Sequence, residues 1–430
     1  MASLLLMLVR PVLADCPDLT VYYPGADPDW VTVRQQLAQL MPACLDDAEF
    51  FALYGAAQLN SGEVPEALEM LERALLLDPD NGAAQIDYAQ ALFLQGDLFA
   101  ALELNNRLLE REDLPANLRE FLQGRGDSWS EITRQRLVQL DILAGYDRNL
   151  NSAPDAGEVT LTLSGEDVVL ALNPEFRPIS GPYLNLRLGA RFRELTPDYQ
   201  HNWLLEARAR NSEDSQSDQL QLDLRYAVAS PGRQRSWQLE TGISHLLFGG
   251  NHFYTASEAG VSYQLAAARR CRPYLGITLQ HQLFHNNSSL NAVEGKAGGG
   301  LNCPRSTRYG EQLINLEFAL LENTALKSSR PGGQRQGWQS NLNWRASMKN
   351  GVFLSQLSHT RLRDREGYNP LLESNAERWT ERTYLLLQYR WRLTRRGAML
   401  INFFHQYQRS NITLFDNTDT TIEIGFSIDL

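Results

Sequence analysis

Four cysteines are the residues of this chain whose type and spacing most invite chemistry. Cys16 and Cys44 bracket one N-terminal segment, and Cys271 and Cys303 bracket one predicted strand pair. Neither pair has the C-x-x-C spacing of a zinc or redox motif, so two local disulfides in an oxidising compartment are expected, although four cysteines allow three connectivities. His281 and His285 are four apart, but on a strand this spacing does not give the adjacent helical pair of a zincin, and a loop or lumen position is expected. No G-x-S-x-G or comparable nucleophile signature occurs. The reading is therefore not an enzyme, with no catalytic, cofactor-binding or metal residues. Arg125-Gly126-Asp127 spells an adhesion tripeptide and reads as linker.

Composition narrows the compartment and the partners. The chain has 430 residues, 43% hydrophobic content and a net charge of -11. It can hold two or three domains, and no apolar run reaches the roughly 18 residues that a membrane helix needs. No block of Lys and Arg stands out, which argues against a nucleic-acid partner. Residues 4–9 are apolar, and Val12-Leu13-Ala14 suits signal-peptidase cleavage after Ala14. Segment 1–14 is thus expected to be a signal peptide without the usual basic start. A lipobox at Cys16 is excluded because Asp15 precedes it.

The elements that would carry these residues fall into two periods. From residue 51 to about 112, Gly62-Glu63 is echoed by Gly96-Asp97, and Ala67-Leu68-Glu69 by Ala101-Leu102-Glu103, a repeat of 34 residues. That is the tetratricopeptide period, in which paired antiparallel helices pack through large and small residues such as Phe51, Tyr54, Gly55, Leu71 and Ala74. Two copies cannot bury a solenoid core, so helices near residues 29–41 and 116–123 are expected to cap them. The second copy carries Asn105 where a large apolar residue is usual. A helical domain over 15–125 and a linker over 126–135 are expected.

Beyond the linker the period becomes two. Leu184, Leu186, Leu188, Ala190 and Phe192 alternate with Asn185, Arg187, Gly189, Arg191 and Arg193, and similar runs recur to the C-terminus. These runs are about ten residues or longer, and one face is charged, as for a strand crossing a bilayer with water inside. Trp203, Trp237, Trp338, Trp344 and Trp391 are available for interfacial girdles. Short joins, such as 196–198 and 349–351, alternate with longer polar ones around 211–218, 285–291, 323–336, 363–378 and 410–419. An antiparallel transmembrane β-barrel of about 14 strands over 136–430 follows, provided 149–182 is one excursion with its own hairpin near 159–172. In this register Cys271 and Cys303 lie at the short-turn rim. Arg187, Arg191, Arg208, Arg225, Arg390 and Arg392 face the lumen, to solvate it or to contact acidic cargo. At the C-terminus, Glu423, Gly425, Ile428 and Leu430 resemble the polar-x-Gly-x-x-apolar-x-apolar signal read by the bacterial machinery that inserts outer-membrane barrels.

The order of elements resembles the surface lipoprotein assembly modulators, also grouped as type XI secretion translocators. The likeness runs through 88–97 (YAQALFLQGD), Leu114-Pro115, 144–149 (AGYDRN) to Ala153-Pro154, and 409–416 (RSNITLFD). Arg148 stands where the family usually has Ser, and Leu430 where it has an aromatic. The resemblance implies a tetratricopeptide domain in the periplasm and a barrel in the bacterial outer membrane. Its implied function is passage of a specific surface lipoprotein or related secreted protein to the cell surface. The implied partners are that cargo, outer-membrane lipid, the barrel assembly machinery and periplasmic chaperones. The alternative expectation is a repeat-linked outer-membrane porin for exported polysaccharide or small solutes.

Overall fold

The computed structural model describes residues 16–23, 29–230, 235–266, 270–308 and 310–430. The segment 1–14 expected as a signal peptide lies outside these described residues. The chain divides into two compact units, one ending at Thr133 and the other beginning at Arg134.

Six α-helices are described in the first unit: α1 (Trp30–Leu40), α2 (Ala48–Asn60), α3 (Val64–Leu77), α4 (Gly82–Gln95), α5 (Leu98–Leu109) and α6 (Ala116–Thr133). Asp29, Asp47 and Asn81 start α1, α2 and α4 by accepting from the backbone N–H of Thr32, Phe50 and Ala84 at 3.0–3.2 Å. Each bond satisfies one of the donors that a helix N-terminus leaves free. Large Phe50, Phe51, Leu37 and Leu71 interlock with small Ala57, Ala67 and Ala74 in a fully buried core. The disulfide Cys16–Cys44 ties the chain before α1 into this core.

Asn105, at the position Leu71 takes in the first copy, is fully buried. Its amide donates to the Leu122 carbonyl at 3.0 Å and accepts from Arg125 Nε at 2.9 Å. Arg125 also donates to the Ile86 carbonyl at 3.1 Å and lies 4.7 Å over the Trp129 ring, which stacks on Phe93. The departure from the repeat pattern is thus the anchor of α6. Residues 126–135, expected as a linker, are instead the end of α6 and the start of the first strand at Arg134. Gly124 and Gly126 weaken local helix propensity there, and the buried contacts of Trp129 with Ala89 and Ala101 override it.

The second unit is made of strands: β1 (Arg134–Asp147), β2 (Glu158–Leu163), β3 (Glu166–Ala171), β4 (Gly181–Leu195), β5 (Gln200–Ser212), β6 (Gln219–Ala229), β7 (Ser236–Phe248), β8 (Asn251–Gln264), β9 (Arg272–Phe284), β10 (Ala292–Thr307), β11 (Gly310–Ala325), β12 (Arg335–Met348), β13 (Gly351–Gly367), β14 (Glu377–Arg392), β15 (Gly397–Ser410) and β16 (Asn417–Asp429). Strands β2 and β3 form a separate hairpin within the excursion between β1 and β4. The other 14 close an antiparallel barrel in which β1 pairs with both β4 and β16. Closure removes the open edges that would otherwise expose unpaired backbone groups to lipid.

Strand parity decides what faces out. On β16, Ile422, Ile424, Phe426 and Ile428 are 43–59% exposed, while Glu423 and Ser427 are 8% and 0% exposed. Leu184, Leu186 and Leu188 on β4, and Leu275, Ile277 and Leu279 on β9, continue the apolar outer face. Apolar outside and polar inside is the order of a barrel standing in lipid, the reverse of a soluble sheet. Exposed Trp203, Trp237, Trp344 and Trp391 gather near the short-turn end, as an interfacial girdle requires. Cys271 and Cys303 form a disulfide joining the start of β9 to β10 at that end. The opposite end carries the longer loops, with one exception: β7 and β8 meet there through the tight Gly249-Gly250 turn, both residues at positive φ.

Candidate functional site in the barrel lumen

Inward residues of β1, β4, β5, β15 and β16 build a polar network where the first and last strands meet. The Glu423 carboxylate is its hub, accepting from Tyr183 Oη at 2.8 Å, Asn185 Nδ2 at 2.7 Å and Asn402 Nδ2 at 2.9 Å. Three strands, β4, β15 and β16, thereby share one buried anion, and the three donors offset its loss of water. Two glycines make the crossing possible. A Cβ on Gly145 would fall 2.5 Å from Tyr183 Cζ, and one on Gly425 would fall 2.0 Å from the Ile142 carbonyl oxygen. Gly425 of the expected assembly signal is thus needed for the close approach of β16 to β1. Ile428 and Leu430 of that signal are exposed on the apolar outer face.

Around the hub the lumen arginines meet carboxylates of the wall. Arg187 lies 3.8 Å from Asp141 and 3.5 Å from Glu206, and Arg208 lies 2.9 Å from Glu206. Arg210 pairs with Asp147 at 2.7 Å, Arg390 with Asp429 at 2.7 Å, and the more exposed Arg225 with Glu258 at 3.9 Å. Arg191 and Arg392 are exposed. Between these walls lies a cavity of about 470 Å³, lined by Arg187, Arg208, Arg210 and Glu423 together with Gln221, Gln388, Tyr384 and Phe404. Its amides, charges of both signs and aromatic faces suit passage or binding of a polar solute or chain.

The excursion after β1 is fastened over this seam. Asn149 accepts from the Ala153 backbone at 2.9 Å and donates to the carbonyls of Ala153 and Thr418, while Asp155 accepts from the Thr418 backbone and hydroxyl at 3.0 and 2.6 Å. Its β2–β3 hairpin reaches the β13–β14 loop, where Leu161 bridges to Leu372 and Thr162 N donates to the Leu371 carbonyl at 3.0 Å. Nearby, buried Asp364 takes Arg335 at 3.0 Å and Arg378 at 3.2 Å, and Arg378 stacks 4.4 Å from both Tyr368 and Phe415. These contacts fix the loop end into a defined mouth.

Of the six arginines expected in the lumen, Arg187 and Arg208 line its cavity. Parity also put Asn185, Asp141, Asp147, Glu206 and Glu423 on the polar faces, but it did not single out Glu423 as a hub with Tyr183, Asn185 and Asn402 as its donors. Their shared signal is a polar residue among apolar ones on alternate positions, and only the register of β1 against β4 and β16 brings them together. His281 corrects an expectation: it sits on the outer face of β9 with Ile277 and Leu279, because Gln280 occupies the inward position. His285 lies in the loop beyond β9.

The helical unit holds a second cavity of about 360 Å³, walled by Ile86, Leu108, Leu114 and Leu118 with Asp87 and Arg111. Burial pushes the Asp87 carboxyl up to about 6, opposed by the Arg125 charge. Burial also brings Arg125 down to about 10, again opposed by its partner.

Residues 58–122 match the tetratricopeptide repeat family model. No curated relative matches the chain. Among solved structures, the barrel region is similar to an anion-selective porin from Comamonas acidovorans (10% identity, 69% of this chain and 99% of that one, TM-score 0.35). It is also similar to a bacterial polysaccharide outer membrane secretin (8% identity, 68% and 98%, TM-score 0.33) and to a BenF-like porin from Pseudomonas fluorescens (6% identity, 69% and 99%, TM-score 0.32). Likeness at this level carries no inference about activity.

Proposed function

We propose that this chain is an outer-membrane translocator of the surface lipoprotein assembly modulator type. It moves a specific surface lipoprotein or related secreted protein from the periplasm to the cell surface. The observation that carries this reading is the union, in one chain, of a tetratricopeptide stretch with a closed 14-strand barrel that is apolar outside and polar within. In this reading the helical unit stands in the periplasm and recruits cargo, the apolar cavity beside Asp87 offering a seat for an apolar side chain. Both disulfides suit an oxidising periplasm. The barrel supplies the exit, and no covalent step or cofactor enters the cycle. Lipid meets the outer face, and the barrel assembly machinery with periplasmic chaperones delivers the chain to its membrane.

A second reading is favoured by the lumen cavity of about 470 Å³, a volume within the range of small-ligand sites. Under it the barrel is a pore for exported polysaccharide or small solutes. Co-expression with surface lipoproteins encoded nearby separates the two. Protease-accessible cargo on intact cells that depends on this chain is the expected result. Unchanged display of every candidate, with sugar efflux or solute conductance through the purified barrel, would replace the translocator by the pore.

A further inference from the structure

Three of the seven histidines meet at one place outside the lumen. His245 on β7 and His252 on β8 face each other across the Gly249-Gly250 turn, with His245 Nε2 2.9 Å from His252 Nδ1. His245 Nδ1 lies 2.8 Å from Thr255 Oγ1, and that hydroxyl lies 2.7 Å from His285 Nε2. The pairing of β8 with β9 brings His285 back to this point, where its backbone N–H donates to the Phe253 carbonyl at 3.1 Å. His245 alternates outward with Ile243, so the cluster stands on the outer wall at the loop end.

Exposed imidazoles bonded to one another only exchange bonds they would make with water, which contributes little to stability. Their arrangement has another property. The three ring centroids form a nearly equilateral triangle with sides of 5.1, 5.8 and 6.0 Å. Zinc–nitrogen bonds of about 2.0–2.1 Å at tetrahedral angles set imidazole centroids roughly 5.2 Å apart. One side of the triangle already has that length, and the other two exceed it by less than 1 Å, within reach of side-chain rotation about roughly fixed backbone positions.

We propose that His245, His252 and His285 form a binding site for a zinc-type divalent transition-metal ion. Three neutral imidazoles are a donor set for zinc, copper or nickel, whereas calcium and magnesium require oxygen ligands. Among the described residues no group of three or more His, Cys, Asp or Glu side chains is placed to hold a metal ion as it stands, so the three imidazoles must rotate to ligate one. Thr255 now holds His285 Nε2, and metal entry exchanges that hydrogen bond for a coordinate bond, leaving the hydroxyl to orient His245 through its other nitrogen. The bound ion would tie the β7–β8 turn to the end of β9.

The test uses the full chain in detergent without a histidine tag. Calorimetric titration with zinc should give one site per chain. His252→Ala and His285→Ala should each weaken it at least about tenfold, since even outer-shell changes cost that much. His281→Ala, on β9 four residues before His285 but outside the triangle, should bind like the wild type. Zinc should raise the melting temperature of the wild type and not of His252→Ala. Wild-type affinity in both alanine variants, or loss of binding in His281→Ala, overturns the proposal. Copper-loaded wild-type protein gives a reading that needs no variant: electron paramagnetic resonance with hyperfine coupling to three nitrogens supports the site, and fewer than three overturns it.

Discussion

Removing the Glu423 carboxylate is the most direct trial of the seam. In Glu423→Ala, Tyr183 Oη, Asn185 Nδ2 and Asn402 Nδ2 lose an acceptor that each now holds at 2.7–2.9 Å. Hydrogen bonds to a charged group contribute about 1.5–3 kcal/mol each, so roughly 5–9 kcal/mol of gross interaction is lost. Relief of the several kcal/mol spent on burying the carboxylate returns part of this. A net loss of about 2–4 kcal/mol is expected. Glu423→Gln keeps one oxygen for Tyr183 and Asn185, and Asn402 can turn its own carbonyl toward the new amide. Its loss should be about 1–2 kcal/mol, the charge-assisted part of the bonds. The assay is urea unfolding of the barrel in lipid vesicles, followed by tryptophan fluorescence and heat-modifiable migration. Arg225→Ala is the control: its partner Glu258 is 3.9 Å away and Arg225 is 61% exposed, so a change near zero is expected. If Glu423→Ala unfolds like the wild type, water reaches the seam freely and the dry hub is wrong. If Glu423→Gln costs as much as Glu423→Ala, the charge and not the geometry holds the strands.

Two further outcomes concern assembly and pH. Gly425→Ala places a methyl group 2.0 Å from the Ile142 carbonyl oxygen, so β16 cannot approach β1 in the present register; the fraction of heat-modifiable barrel in membranes should fall sharply, and wild-type assembly would refute the close approach. Asp87, with its folded carboxyl raised from 3.8 to about 6, makes the helical unit lose stability as pH rises from about 4 to about 6 and adds no slope above that. Asp87→Asn removes this loss, which is at most roughly 3 kcal/mol at pH 7, less whatever Arg125 gives up with its opposite charge. The first melting transition of the full chain, compared between variant and wild type from pH 4 to pH 8, checks it, and a difference independent of pH would refute it.

Periodicity was legible because it is local. Residues 62–69 and 96–103 repeat in sequence, and the inward and outward residues of β4 and β16 alternate in sequence, so helix pairs and strand faces could be read without neighbours. The helix over Arg125-Gly126-Asp127 was not legible, because glycines lower its local preference and contacts from α4 and α5 hold it. The two loop-end features were also hidden. Arg378 between Tyr368 and Phe415, and His245 beside His252 and His285, join residues from separate hairpins whose connections set their meeting.

By itself the sequence determined the two classes of element, the number of barrel strands and which side chains face lipid, since a period of two in a closed sheet leaves one inside and one outside. Tertiary structure alone decided which inward residues meet. Glu423 lies 240 residues from Tyr183 and 21 from Asn402, yet all three share one hydrogen-bonded hub. Their meeting depends on the register of β1 against β4 and β16. A slip of two residues would leave Ile424 toward lipid yet carry Glu423 away from Tyr183 and Asn185, and no local pattern within any one strand fixes that choice.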